Sequence, residues 1–319
     1  MKDEKLKKAV YELTHNARIR TKELGTALRI SQQSASYLLQ SLERQKIITA
    51  RCTIMDPAKF GYVNVLVYCN YTTFDAAQQK EILTYLQKDD AVVSIQEIEQ
   101  GYDLKLIFSV PNLSSFNKSK KAFIQNWKSK IVIAETYPIV VKHLYPRKYL
   151  GPRKPFSEKV IAGDRDVADI STTEKVVLNC LWNNAGQSII EMSQATKLNP
   201  KTIIKVKKSI QEKKIIRGYT SIFTMQELGI QKQQLFLSSE DLSLDEDAKL
   251  LHFCFIHPHI VSLTRLLGTY DLLIEIEQEK VSHKDVLKDL RTEFGFHRYK
   301  VITAGIVLKE KYIPKSALE

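Results

Sequence analysis

From Leu6 to Lys46 the apolar positions recur at helical spacing: Leu6, Val10 and Leu13, then Leu24 and Leu28, then Ala35, Leu38, Leu39 and Leu42. Residues three and four apart share one face of a helix, so this predicts three short helices. Ser31 is placed to cap the third, because its side chain can accept a bond from a first-turn amide. Downstream the period drops to two in TARCTIM, VNVLVYCNYT, AVVSIQEIE, DLKLIFSV and TYPIVVKHLY, which predicts strands. Helical stretches are interposed near Ala76 to Gln87 and Ser115 to Trp127. The order is three helices, a short strand or hairpin, then β-α-β-β-α-β.

The pattern then runs a second time. Ser41 to Ile48 reads SLERQKII and Ser209 to Ile216 reads SIQEKKII, an offset of 168, which is 209 less 41. The same offset sets Leu13 on Leu181, Ala17 on Ala185, Glu23 on Glu191, Gly61 on Gly229, Tyr102 on Tyr270 and Asp103 on Asp271. One offset held over about ninety residues marks a tandem duplication. The predicted class is α+β, a tandem repeat of a winged helix-turn-helix and a ferredoxin-like β-α-β-β-α-β module. The first copy divides into 1–60 and 61–145, the second into 172–229 and 230–319. Between them 146–171, with its Pro, Gly and mixed charge, reads as a linker long enough to leave the arrangement of the halves free.

In a winged helix-turn-helix the third helix enters the major groove of double-stranded DNA. With Ala35, Leu38, Leu39 and Leu42 turned to the core, the other face of the first copy's third helix carries Gln32, Gln33, Ser34, Ser36, Tyr37, Gln40 and Arg44. Gln side chains reach base edges, and hydroxyls and Arg reach phosphate. A solvated polar face is the plain alternative. The second copy shifts the balance, because Lys197 to Arg217 holds eight cations against Glu212 alone. Its helix opens with Asn199 as cap and Pro200 in the first turn, and Lys201, Thr202, Lys205 and Lys208 are the candidates for phosphate and base contact.

Composition agrees. There are 48 Lys and Arg against 36 Asp and Glu, a formal charge of +12, which points to a polyanionic partner. No apolar run approaches a membrane span, and MKDEKLKKAV is charged where a signal peptide needs an apolar stretch, so a cytoplasmic location is expected. Cys52, Cys69, Cys180 and Cys254 lie far apart, without a C-x-x-C pair, and are expected to be buried reduced thiols. His252, His257 and His259 form one local cluster, which fits an aromatic-rich approach to a strand better than a metal site. No phosphate loop or nucleophile elbow is present. The expectation is therefore a protein that is not an enzyme, with no catalytic residue, no metal and no cofactor.

These residues together resemble the leucine-responsive regulator (Lrp/AsnC) family of transcription factors over nearly the whole of both copies. The family's apolar pair, Gly-Tyr-like strand and Leu-Gly appear as Ile215-Ile216-Arg217-Gly218-Tyr219 with Leu228-Gly229. The first copy has Ile47-Ile48-Thr49-Ala50-Arg51 with Phe60-Gly61. Its Gly-x-Tyr-Asp turn is matched by Gly268-Thr269-Tyr270-Asp271, while the first copy has Gln100-Gly101-Tyr102-Asp103. A further departure is Lys46 and Lys214 where the family has a Gly before the apolar pair. The resemblance implies sensing modules paired face to face and a small-molecule effector, such as an amino acid, held near Gly101, Tyr102, Asp103, Gly268, Thr269, Tyr270 and Asp271. It also implies self-association through the sensing modules. With two copies in one chain, an intramolecular pseudo-dimer replaces the family's homodimer. Two alternatives keep the fold. One is an enzyme similar to the siroheme decarboxylases, with His297, Arg298, Tyr299 and Lys300 serving an anionic tetrapyrrole; the other is a metabolite sensor whose DNA binding has decayed.

Overall fold

The computed structural model describes residues 2–151, 157–238, 242–279 and 283–319. The first copy comprises α1 (Lys2–His15), α2 (Thr21–Leu28), α3 (Gln32–Arg44), β1 (Ile48–Met55), β2 (Val63–Tyr71), α4 (Ala76–Lys88), β3 (Val92–Gln100), β4 (Leu104–Val110), α5 (Leu113–Trp127) and β5 (Ile131–Leu144). Strand β6 (Lys159–Ala162) follows. The second copy comprises α6 (Thr172–Asn183), α7 (Ile189–Thr196), α8 (Pro200–Glu212), β7 (Ile216–Phe223), β8 (Gln231–Leu237), α9 (Leu244–Ile256), β9 (Ile260–Leu266), β10 (Leu272–Gln278), α10 (His283–Phe294) and β11 (Tyr299–Glu310). Helix starts obey their caps: Ser31 accepts from the Ser34 amide at 3.1 Å, and Asn199 from the Lys201 amide at 2.9 Å. Among the described residues no helix is long and apolar enough to cross a membrane.

Among the described residues no wing hairpin forms within either copy. Instead β1 pairs antiparallel with β7, from Ile48 opposite Phe223 to Met55 opposite Ile216. Each copy supplies only one strand here, because Pro57 opens a 3-10 turn directly after β1 and Met225 begins its counterpart after β7. The chain leaves the strand rather than folding back, so the backbone groups of β1 are met by the other copy.

The two downstream modules have the expected β-α-β-β-α-β order, and each forms a four-stranded sheet, β5-β2-β4-β3 and β9-β10-β8-β11. Two further antiparallel pairings, β3 with β11 and β5 with β9, join the sheets along both edges into a closed ring of eight strands. Helices α4 and α5 cover one outer face through Ile82, Leu86, Phe116 and Phe123. On the opposite face α9 and α10 do the same through Leu250, Cys254, Leu287 and Leu290. The inner faces meet through Leu66, Tyr68, Tyr102, Tyr137, Phe236, Leu273 and Ile302, drawn from both copies. The modules therefore pair face to face, and closure buries both faces of β2, β4, β8, β9 and β10 along most of their length.

Both winged-helix cores are built across the duplication. That of the first copy contains Phe223, Met225 and Ile230 of the second, together with Leu150. That of the second contains Met55 and Phe60 of the first, with Ile313 and Leu318. Of the segment between the copies, residues 152–156 lie outside the described residues, and the described remainder is not a slack tether. Leu150 is buried in the first winged-helix core, β6 pairs with β5, and the Ala162 amide donates to buried Asp56 at 2.8 Å. The repeat offset also runs through this segment, setting Pro146 on Pro314 and Leu150 on Leu318. Each buried side chain of this kind contributes about 1.5–3 kcal/mol, so the crossover contacts tie the halves together.

Candidate functional site

The paired strands β1 and β7 position the two third helices. Helix α3 runs into β1 and α8 into β7, and the strands are antiparallel, so the helices arrive at opposite ends of one ribbon. Seven residue steps from Ile48 to Met55 span about 24 Å at roughly 3.4 Å per step. On α3, Gln32, Gln33, Ser34, Tyr37, Gln40 and Arg44 are exposed, while Ser36 is half-buried. The Arg44 guanidinium lies 5.7 Å from the centre of the Tyr37 ring, so the two form one flat cationic surface. On α8, Lys201, Thr202, Lys205 and Lys208 are all exposed.

Three of the eight cations counted in that stretch are ion-paired, Lys208 through an exposed contact with Glu212 at 3.7 Å and the other two with buried carboxylates. Arg217 donates to buried Asp56 at 2.8 and 3.0 Å, and Lys213 binds Glu174 at 2.8 Å. Burial alone would raise the Glu174 carboxyl, but bonds from Lys213, Ser171 and Ser209 hold it down to about 2. The exposed part of the charge is therefore concentrated on α8 itself and its flanks.

At the end of the barrel away from the winged helices lie the two tyrosine-aspartate turns. Their glycines are displaced by one position but both are left-handed, Gly101 at φ 108° and Gly268 at φ 148°. A Cβ on Gly268 would stand 2.9 Å from the Tyr137 ring. The Asp103 carboxylate accepts from the Tyr71 amide at 2.7 Å, which anchors its turn to β2. Rings link the turns through the interior: Tyr102 to Tyr68 at 4.8 Å, Tyr68 to Phe236 at 5.6 Å, and Phe236 to Tyr270 at 5.7 Å. Lys300 reaches the Tyr102 hydroxyl and binds Glu135 at 2.8 Å, while Tyr137 donates to Glu135 at 2.8 Å. Glu135 and Tyr137 went unnoticed in the sequence because β5 alternates there like any half-buried strand. Of HRYK, His297 and Tyr299 are exposed, Arg298 lies 5.6 Å from the centre of the Tyr270 ring, and Lys300 is committed to Glu135. The cysteines are unbridged, and Cys180 is half-buried rather than buried. His259 meets the Glu277 carbonyl and stacks on Tyr149, and burial lowers His257 to about 4.

The other half of the barrel interior is ionic. Glu275 accepts from Lys105 at 3.0 Å, Lys232 at 3.1 Å and Ser262 at 2.7 Å, with Lys142 at 3.6 Å. Burial and the neighbouring Lys142 and Lys232 push Lys105 down to about 8 against the pull of Glu275, while the three lysines hold Glu275 well below the usual carboxylate range. Arg147 grips Glu277 with two bonds, at 2.6 and 3.0 Å. A cavity of about 170 Å³ lies between this layer and the winged helices. Sequence reasoning missed all of these residues.

The chain matches no protein-family profile. Over 106 residues it is 27% identical to an uncharacterized HTH-type transcriptional regulator of Haemophilus influenzae, a match to 33% of this chain. The chain spans about 63% of the length of that curated relative. The siroheme decarboxylase NirDL shares its fold end to end, with TM-score 0.57, 10% identity and coverage of 97% of this chain and 94% of that chain. LrpC of B. subtilis is similar to 42% of this chain over 94% of its own, with 15% identity and TM-score 0.35. An AsnC family regulator from Agrobacterium tumefaciens is similar to 54% of this chain over 95% of its own, at 15% identity and TM-score 0.34. The expectation that the chain is not an enzyme is overturned, because the duplicated architecture it shares from end to end is that of an enzyme. The absence of a familiar catalytic motif was no guide, since catalytic groups in such a fold need not be contiguous in sequence. The resemblance to the Lrp/AsnC regulators is borne out at the level of an HTH-type regulator matched over a third of the chain, and the chain's own element order repeats the winged helix and β-α-β-β-α-β unit twice.

Proposed function

We propose that the protein is a sequence-specific DNA-binding regulator that works as an intramolecular pseudo-dimer, with modules bounded as the sequence suggests. The observation that supports this reading most is the row of exposed Lys201, Lys205 and Lys208 on α8, in a stretch where Lys213 and Arg217 have structural partners. Exposed cations on a third helix supply affinity by releasing counterions from the duplex. Helix α3, polar and less charged, would read the second half-site. A small effector at the tyrosine-aspartate turns would act on the ring-linked interior of the barrel. Replacing Lys201, Lys205 and Lys208 by Ala should flatten the salt dependence of DNA affinity by about one unit of slope per lost phosphate contact. An unchanged slope would remove α8 from the interface.

The end-to-end likeness to NirDL favours a second reading, an enzyme acting on a tetrapyrrole such as siroheme. Titrating siroheme into the purified protein separates the two. A saturable absorbance shift followed by loss of carboxyl groups would establish the enzyme; an unshifted spectrum leaves the regulator.

A further inference from the structure

We propose that the cavity between the barrel and the winged-helix layer binds one small dianion per chain, with Lys142 as the central ligand. The class of ligand is a compact molecule with two neighbouring negative charges, either an inorganic oxyanion or a short dicarboxylate. The site does not depend on the DNA-binding reading, and it lies at the opposite end of the barrel from the tyrosine-aspartate turns.

Charge carries the argument. Lys105, Lys142, Lys159, Lys232 and Arg147 line the cavity, against Glu275, Glu277 and Glu310. Arg147 and Glu277 satisfy one another, and a Tyr149 bond at 3.0 Å completes Glu277. Four lysines then face two carboxylates, Glu275 and the Glu310 that accepts from Ser94 at 2.7 Å. Three of those lysines crowd around Glu275 alone, and Lys142, at 3.6 Å, is the most distant. Buried positive charge without a counter-charge is costly, and a bound dianion would balance the surplus of two. Ser221 also lines the cavity and has a buried hydroxyl without a partner among the described residues.

Size limits the ligand. A volume of about 170 Å³ equals roughly five or six waters at about 30 Å³ each, enough for phosphate or a four-carbon dicarboxylate and far below a drug-sized pocket. The lining is also unlike what two identical subunits would build. The repeat offset sets Lys142 on Glu310, Lys105 on Leu273, Lys232 on Asn64 and Glu275 on Ile107. Identical subunits would put the same side chain at both members of each pair. Duplication within one chain permits a single asymmetric chamber, whose wall also includes Thr14, Ile54 and Thr220 from the winged-helix layer.

Calorimetric titration of the full chain with inorganic phosphate and, separately, with succinate tests the proposal. Expected is a single site per chain for at least one of them, weakened about tenfold or more in Lys142→Met and unchanged in Lys118→Ala on the surface of α5. Lys232→Met should reproduce the loss and serves if Lys142→Met does not fold. Which of the two probes binds identifies the source of the dianion. Absence of binding by both at millimolar concentrations would overturn the proposal. So would binding that survives both Lys142→Met and Lys232→Met, or that disappears in Lys201→Ala, because the anion would then sit on α8.

Discussion

Lys46 and Lys214 stand where the related family has glycine, and both adopt the conformation a glycine would take, at φ 55° and φ 54°. The helix ends are held as they would be with glycine: the Ile47 amide donates to Leu42 at 2.9 Å and the Ile215 amide to Ile210 at 3.1 Å. The left-handed position costs a residue with a Cβ about 1–2 kcal/mol. Lys214→Gly should therefore stabilise the protein by about 0.5–1 kcal/mol in urea denaturation, after the looser unfolded chain is allowed for. Glu174 gives the opposite kind of effect. Its folded carboxyl is held down to about 2 from an ordinary 4.5, so its contribution is complete above about pH 4.5 and is lost as the pH falls toward 2. Glu174→Gln should cost on the order of 2–3 kcal/mol at pH 7. The gap between the two proteins should close on acidification below pH 4.5, and a constant gap would contradict the linkage.

At the scale of elements, helix spacing and capping residues located α1 to α3 and α6 to α8 well, because those signals are local. Partners of the strands were not legible. Alternation tells which face of β1 is apolar, but not that β7 of the other copy lies beside it. The charged chamber was hidden for the same reason. In β10, Glu275 and Glu277 alternate with Ile274 and Ile276, the usual mark of a solvent-facing side, yet barrel closure buries both faces. A testable consequence follows from the crossed cores. Phe223 belongs to the second copy by sequence but packs into the first winged-helix core. Phe223→Ala should cost about 3–5 kcal/mol and speed amide hydrogen exchange in α1 and α3. Faster exchange confined to α6 to α8 would mean that the cores are not shared.

For the whole molecule, the bulk charge of +12 resolves into separate populations. Some cations neutralise buried carboxylates, some crowd the interior chamber, and an exposed row on α8 is left facing solvent. The duplication makes the two ends of the β1–β7 ribbon chemically different, one leading to a glutamine- and tyrosine-bearing helix and the other to a lysine-rich one. Composition could not foretell this division, because it depends on which side chains closure of the barrel buries. A duplicated regulator and a duplicated enzyme share the same frame, so the surface chemistry of the third helices has to discriminate between them. Footprinting with stoichiometry measured on the same DNA fragment is the most direct test. The account predicts one chain on an asymmetric site whose half-sites lie about one or two helical turns apart, at roughly 34–36 Å per turn. Protection of a strict palindrome by two chains through the second copy alone, or no preferred site at all, would contradict it.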